Sequence, residues 1–136
     1  MKAKACHYGF HPSDDDGVLT GTFREGALAY KERKKSQYYK DSFESLIITD
    51  DGDICSYCFC YVNNNTSTAF IEPVCTREKY RMKGLSKQML YGVINRLKEM
   101  NIECCYINSF DWRKRVYAAA GFKTEDSIGF WHKKIK

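Results

Sequence analysis

Runs of mostly apolar residues in the middle of the chain are separated by short groups of polar turn residues, a pattern typical of β-strands. Residues 43–49 and 54–62 are rich in β-branched and aromatic side chains, and Asp-Asp-Gly-Asp at 50–53 separates them. An Asp-Gly pair between two such runs is a strong signal for a hairpin. Three asparagines at 63–65 make the next turn, and residues 67–76 form a third run. The pattern predicts a meander of three antiparallel strands.

The period of the apolar positions then changes to about four. Leu85, Met89, Val93 and Leu97 recur every four residues, which predicts an amphipathic helix of about four turns that packs on the sheet. Residues 102–108 resemble a strand. Because a helix that joins two strands of one sheet makes a right-handed crossover, we expect this strand to lie parallel to residues 67–76.

Shorter elements are expected at both ends of the chain. Residues 111–120 predict a short helix that stops at Gly121, and residues 122–135 predict a closing hairpin. A helix is expected over 21–37, although a glycine in its middle weakens it. The segment before it contains three consecutive aspartates at 14–16 and is expected to be a loop.

Composition favours one packed globular domain over the 136 residues. The hydrophobic fraction is 43% and the aromatic fraction 15%, which is typical of a folded core. No apolar run reaches the roughly 18 residues that a membrane span requires. The amino-terminal residues are too polar for a signal peptide. Seven cysteines, an odd number, do not suggest a secreted disulfide framework, so we expect a cytoplasmic protein.

A basic loop between the third strand and the long helix is the strongest candidate for chemistry. Residues 80–86 read Tyr-Arg-Met-Lys-Gly-Leu-Ser. The first turn of a helix has backbone N–H groups without a partner, and the helix dipole places partial positive charge there. Gly84 lets the backbone approach a ligand closely, and Arg81 and Lys83 add full charges. The loop therefore predicts a binder of a phosphate-bearing cofactor, although an ordinary basic helix start has the same composition.

Two further segments extend this pattern into a family resemblance. Residues 80–86 resemble the signature Gln/Arg-x-x-Gly-x-Gly/Ala of the Gcn5-related N-acetyltransferase (GNAT) family, which follows a strand. The strand over 102–108 has the expected place, and residues 116–122 resemble the family's Leu-Tyr-x-x-x-Gly-Phe segment. Two features depart from the family: Ser86 replaces the final glycine or alanine, and residues 1–42 lack a clear first strand and two opening helices.

The resemblance implies an α/β (α+β) acyl-CoA N-acyltransferase fold. Its sheet would be mixed and mostly antiparallel, with flanking helices and a central parallel pair that splays around acetyl-CoA. Pro73 cannot donate to a strand ladder, and it is expected to mark the bulge that opens this pair. The resemblance further implies cofactor-binding roles for Val74, Cys75, Thr76, Arg81, Met82, Lys83, Gly84, Leu85, Ser86, Asn108 and Tyr117.

The resemblance also suggests a general acid and a general base. Tyr117 matches the family's tyrosine, whose phenol can protonate the departing thiolate of coenzyme A. Glu72 is the candidate base that takes a proton from the attacking amine, because it interrupts an apolar strand and a buried carboxylate has a raised pKa. Alternatively, Tyr117 is an ordinary core residue and Glu72 faces solvent. Arg113 and its two basic neighbours either meet the cofactor's 3′-phosphate or form a solvated charge run.

The cysteines of the second strand suggest half of a zinc site, but strand alternation argues against one. Cys58 and Cys60 share one face while Cys55 points to the other, so no metal is expected. We therefore expect an N-acetyltransferase that moves an acetyl group from acetyl-CoA to a small-molecule or peptide amine by direct attack. A homodimer is compatible with this, because a second subunit would complete the acceptor site.

Two other functions remain open at this point. The first is a non-catalytic acyl-CoA-binding or regulatory module of the same fold, which the serine at position 86 and the short amino-terminal part suggest. The second is a small nucleic-acid-binding domain that uses the basic and aromatic residues. The net charge of +5 is too diffuse to argue for nucleic acid by itself, and neither nucleic acid nor membrane is expected as a partner.

Overall fold

The structure is a computed structural model that describes residues 21–124, without the side chains of residues 21–26 and 111. Three helices and four strands follow one another: α1 (Gly21–Lys34), β1 (Glu44–Ile48), β2 (Ile54–Asn63), β3 (Thr68–Thr76), α2 (Leu85–Glu99), β4 (Cys104–Ile107) and α3 (Lys114–Ala118). Short 3-10 turns cover residues 41–43, 78–80 and 111–113. The predicted loop at residues 1–20, with its aspartates at 14–16, and the predicted hairpin beyond Thr124 lie outside the described residues.

The four strands form one mixed sheet in the order β1-β2-β3-β4. β1, β2 and β3 pair antiparallel, and β3 pairs parallel with β4. Both predictions, the meander and the parallel crossover, are confirmed. Gly52 adopts φ 87° in the first hairpin, a conformation that glycine reaches without strain.

Both faces of the sheet are covered, and β2 is consequently buried along most of its length. All residues of β2 from Ile54 to Cys60 are buried. α2 packs against β1, β2 and β3 through Met89, Leu90, Val93 and Leu97. On the other face, Tyr30 of α1 contacts Tyr57 edge-on at 6.5 Å. The predicted apolar face of α2 is thereby confirmed.

A buried carboxylate joins α1 to the sheet. Glu44 Oε1 accepts hydrogen bonds from the hydroxyls of Tyr30, Tyr39 and Tyr57 at 2.7, 3.0 and 3.1 Å. Burial, and after it the bond to Glu44, raises the pKa of Tyr30 to about 12. The carboxylate therefore holds three segments together: α1, the loop that follows it and β2.

β3 contains the irregularity expected at Pro73. Cys58 pairs with Val74 and Cys60 with Ile71, so that Phe59 alone lies opposite Glu72 and Pro73. This bulge coincides with the end of the parallel ladder, whose last pair is Ile71 with Ile107. β3 continues to Thr76 without pairing to β4. The two central strands therefore part at the bulge, as predicted.

Several predicted elements are shorter than expected. α1 ends at Lys34 instead of residue 37. The strand expected over 102–108 spans Cys104–Ile107, and the Ile102 N–H bonds instead to the Leu97 carbonyl of α2 at 3.0 Å. The helix expected over 111–120 is divided into a 3-10 turn and α3. Gly121, predicted as the residue after the helix, adopts a left-handed φ of 92° but lies three positions beyond Ala118, the last residue of α3. No helix within residues 21–124 has the length and apolar character that a bilayer crossing requires.

Candidate active site

A cavity of about 550 Å³ opens where β3 and β4 part. Its wall comprises the end of β3, the loop before α2, the first turn of α2, and one face of α3. Nine of the residues predicted to bind the cofactor line it: Val74, Cys75, Thr76, Arg81, Met82, Gly84, Leu85, Ser86 and Tyr117. The structure thus brings together segments that are about 40 residues apart in the sequence.

The loop that enters α2 leaves the helix start accessible. Gly84 is the residue before the helix; it adopts φ 74°, and it makes no side-chain cap. Met82, two residues earlier, also has a left-handed φ of 60°. The first turn contains no acidic residue. No atom would lie within 4 Å of a β-carbon built at Gly84, so there is free space beside this residue. The first N–H groups of a helix have no partner within it, and they suit an anion.

Three hydroxyls connect this helix start to the sheet. The Ser86 and Thr76 oxygens lie 2.9 Å apart, and the Thr76 and Ser56 oxygens also lie 2.9 Å apart. Ser56 in turn donates to the Cys75 carbonyl at 2.8 Å. Ser86, the residue that departs from the expected glycine or alanine, therefore has a partner at the end of β3.

Asp53, in the β1–β2 hairpin, anchors the other end of the loop. Its carboxylate forms ion pairs with Arg77 and Lys79 and accepts a hydrogen bond from the Tyr80 hydroxyl at 2.8 Å. The hydrogen bond from Lys79, followed by those from Tyr80 and Arg77, lowers the pKa of Asp53 to about 2. The carboxylate thus stays ionised and holds the 3-10 turn at 78–80.

The two cations predicted beside the phosphate behave differently. Arg81 donates from Nε to the Thr76 carbonyl at 3.1 Å, so part of its guanidinium group is used to brace the loop. Lys83 is exposed and lies outside the cavity lining, with its ammonium 5.6 Å from the centre of the Tyr80 ring.

Tyr117 lies on the α3 side of the cavity and is only 8% exposed. Its ring contacts Phe122 edge-on at 6.3 Å, and its carbonyl accepts the Phe122 N–H at 3.1 Å. Burial raises the pKa of the Tyr117 phenol. The phenol therefore stays protonated at neutral pH and can act as a proton donor.

Glu72 and Asn108 lie elsewhere. Both are exposed, and neither lines the cavity. Glu72 occupies the bulge and faces solvent, which was the alternative interpretation of this residue. Its burial in an apolar strand, the original reason to suspect it, is not observed.

Sequence reasoning missed several residues on the cavity wall. Val116 immediately precedes Tyr117 and was not predicted to line the cavity. Arg113, four positions before Tyr117, also lies on the wall, where contact with the cofactor was one of its two predicted roles. Trp112 is 71% exposed, and the Arg113 guanidinium lies 4.3 Å from the centre of its ring. No sequence signal pointed to Trp112.

The cysteines form no metal site among the described residues. Cys55, Cys58, Cys60 and Cys75 are buried free thiols. Within residues 21–124 no group of three or more histidines, cysteines and acids is placed to bind a metal ion.

Comparison with known proteins agrees with this geometry. The profile of the acetyltransferase (GNAT) family matches residues 15–122. A search of curated proteins found no sequence match. Solved structures share the fold at low identity, among them glucosamine-6-phosphate N-acetyltransferase from Arabidopsis thaliana, with a TM-score of 0.63 and 17% identity over 98% of this chain and 94% of that one.

Two other structural neighbours differ in their described roles. A transcriptional regulator from Bacillus halodurans C-125 has a TM-score of 0.61 and 22% identity, and covers 98% of this chain and 97% of its own. The aminoglycoside N-acetyltransferase AAC(6')-Iy, solved in complex with CoA, has a TM-score of 0.62 and 14% identity, with coverage of 82% and 88%. The resemblance noted in the sequence is confirmed over most of the chain: this protein belongs to the acetyltransferase (GNAT) family.

Proposed function

We propose that the protein is an acetyl-CoA-dependent N-acetyltransferase that transfers the acetyl group directly to an amine. The observation that carries the proposal is the shared cavity, in which an uncapped helix start at Gly84 and the buried phenol of Tyr117 face one space. Family membership supports acetyl transfer in general. The cofactor and the direct route are inferred from the cavity.

The residues present fit coenzyme A. The N–H groups after Gly84, with Arg81 beside them, suit a diphosphate, and the absence of a β-carbon at Gly84 leaves room for it. The edge of β3 at residues 74–76 is not paired with β4, so its backbone suits the amides of a pantetheine arm. When bound, acetyl-CoA supplies an activated acetyl thioester.

Tyr117 is proposed as the proton donor. Its phenol is buried within the cavity wall and has a raised pKa, so it holds its proton at Oη at neutral pH. Tyr117 can then donate this proton, or a hydrogen bond, to the sulfur on which negative charge develops as the C–S bond breaks.

Glu72 is proposed as the group that receives the amine's proton, directly or through water. Its exposed position at the bulge would place it beside an acceptor that enters from solvent. The acceptor we propose is a small-molecule or peptide amine, and neither nucleic acid nor membrane is proposed as a partner. Free buried thiols support a reducing, cytoplasmic setting, and a second subunit would complete the acceptor side in a homodimer.

Transfer of isotope-labelled acetyl from acetyl-CoA to a panel of small and peptide amines tests this function, with coenzyme A affinity measured separately by calorimetry. We expect micromolar binding and label on at least one amine. Tight binding with no labelled product from any amine would favour a non-catalytic acyl-CoA-binding module instead. Absence of binding would contradict both.

A further inference from the structure

We propose that Ser86 is a positioning residue that acts through Thr76 to hold the first turn of α2 against the end of β3, and that this tie sets the affinity for the cofactor's diphosphate. The inference rests on the proposed function and adds a role for a residue at which the chain departs from the family signature. It is supported by the hydrogen bonds among the hydroxyls of Ser56, Thr76 and Ser86 and the Cys75 carbonyl.

The tie is direct and largely buried. Ser56 is 2% exposed and Thr76 is 8% exposed, while Ser86 lies half-buried on the cavity wall. The three oxygens are joined by two contacts of 2.9 Å, within the range of a good O–H···O hydrogen bond. The chain therefore connects one residue each from β2, β3 and α2.

The order of the protons along this chain is determined by its inner end. A carbonyl can only accept a hydrogen bond, so Ser56 donates its one hydroxyl proton to the Cys75 carbonyl. Ser56 must then accept from Thr76, and Thr76 must accept from Ser86. Ser86 consequently directs its proton toward the sheet and its two lone pairs away from it.

This order separates a positioning role from direct contact with phosphate. A phosphate oxygen beside Ser86 would meet a lone pair rather than a proton, so the side chain is a poor donor to the cofactor while the chain is intact. Recognition of the diphosphate is left to the backbone N–H groups of the first turn. Ser86 contributes by fixing where those groups lie.

The loop needs such a tie at its helical end. Its first part is held by two hydrogen bonds, one from Tyr80 to Asp53 and one from Arg81 to the Thr76 carbonyl. Met82 and Gly84 then adopt left-handed conformations before the helix begins. With Ser86 bound to Thr76, both ends of the loop are anchored, and less conformational entropy is lost when a ligand orders it.

A double-mutant cycle on coenzyme A affinity tests the inference. Ser86→Ala should weaken binding about fivefold, which corresponds to the loss of one hydrogen bond, and Thr76→Val should weaken it at least as much. The double variant should bind no more weakly than Thr76→Val, because that change already breaks the contact between Ser86 and Thr76 together with the one between Thr76 and Ser56. Thr76→Ser, which keeps the hydroxyl, should retain wild-type affinity. In turnover assays KM for acetyl-CoA should rise while kcat is unchanged.

Thr66→Val is the matched control. It breaks a similar hydroxyl pair, Thr66 with Thr68 at 2.7 Å, which lies at the opposite end of β3 from the cavity. Its affinity for coenzyme A should equal that of the wild type. Gln88 N–H bonds to the Gly84 carbonyl at 3.0 Å, and its hydrogen exchange in the ligand-free protein should be faster in Ser86→Ala and Thr76→Val alike and unchanged in Thr66→Val.

The outcomes are distinguishable. Equal losses from Ser86→Ala in the wild-type and Thr76→Val backgrounds would mean that Ser86 contacts the phosphate itself, which overturns the positioning role. Unchanged affinity in Ser86→Ala overturns it as well. If the wild-type protein does not bind coenzyme A, the proposed function fails and this inference fails with it.

Discussion

The hydroxyl of Tyr80 donates a hydrogen bond to Asp53 at 2.8 Å, across 27 residues of sequence. The contact joins the first hairpin to the loop that precedes α2. Tyr80 also lines the cavity, so a turn at one end of the sheet supports the wall of the candidate active site. Loss of this contact should affect both stability and cofactor binding.

Asp53→Asn should lower the free energy of unfolding by about 1–2 kcal/mol at pH 7, because charge-assisted bonds from Lys79, Tyr80 and Arg77 become neutral ones. Urea unfolding measures this. Asp50→Asn, at an exposed position of the same hairpin, is the control and should change stability little. Equal losses in the two variants would contradict a specific role for Asp53.

The stabilisation by Asp53 should depend on pH. The pKa of this carboxyl is lowered from 3.8 to about 2 in the folded protein. The stabilisation is therefore complete above the unfolded value and is lost as the pH falls from about 4 to 2. The difference between wild type and Asp53→Asn should shrink over this range in acid titrations of the unfolding midpoint.

Gly84→Ala should lower stability by about 1 kcal/mol, because alanine is strained at φ 74°. It should also weaken coenzyme A binding, since relief of the strain at this position would displace the first turn of α2. Gly92→Ala is the matched control in the same helix: it has no positive φ and open space around its β-carbon, so it should stabilise the protein by about 0.5–1 kcal/mol. Unchanged binding by Gly84→Ala would argue against a diphosphate at this turn.

Tyr117→Phe should lower kcat for acetyl transfer roughly 10²-fold while coenzyme A affinity is retained, because the ring remains and only the proton donor is lost. Steady-state kinetics and calorimetry measure the two quantities. Since burial raises the pKa of Tyr117 above 10.0, its deprotonation should limit wild-type activity only at more alkaline pH. Tyr38→Phe, at an exposed tyrosine, is the control. Unchanged turnover in Tyr117→Phe would remove this residue from the mechanism.

The rate at which each cysteine reacts with a thiol reagent should depend on how deeply its side chain is buried. Cys104 is exposed and should react fastest with a thiol reagent at pH 8, whereas burial raises the pKa of Cys58 to about 12 and should protect it until the protein unfolds. Labelling would be measured by peptide mass spectrometry on a Cys6→Ser background, because Cys6 lies outside the described residues. Cys104→Ser should remove the fast phase. Rapid labelling of Cys58 in the native protein would contradict this packing.

Glu44→Gln should destabilise the protein by about 1–2 kcal/mol, because three tyrosine hydroxyls then donate to a neutral oxygen instead of a carboxylate. Since the pKa of Tyr30 is raised from 10.0 to about 12, its contribution is complete below pH 10 and is lost as the pH rises toward 12. Thermal melts across this range measure both effects. Glu99→Gln, at an exposed position of α2, should melt like the wild type.

Local sequence patterns predicted most of the fold, because the pattern of each strand, helix or turn can be recognised within that element's own residues. The apolar, aromatic-rich run of β2 and the four-residue repeat from Leu85 to Leu97 each describe one element, and the Asp-Gly pair at 51–52 describes the turn between β1 and β2. The cavity segments were also recognisable, since residues 80–86 and 116–122 carry a spacing typical of one family. These features depend on neighbours in the sequence.

The orientation of Glu72 and the partner of Ser86 depend on distant residues and were not predictable. A bulge at Glu72 and Pro73 breaks the strand's alternation, so the face on which Glu72 lies cannot be counted from Ile71 alone. The hydroxyl chain requires Ser56, Thr76 and Ser86 to meet from three elements. No local pattern specifies such a meeting.

The end of the β3–β4 ladder at Ile71 and Ile107 gives the sheet an additional edge within the fold. Unpaired strand edges at the margin of a sheet invite pairing with other chains and so promote aggregation. This edge lines a cavity whose wall also includes residues of α3, and the Thr76 carbonyl on it accepts a hydrogen bond from Arg81. The parting of the two strands thus places a strand edge inside a cavity, where a small ligand reaches it more readily than the strand of another chain.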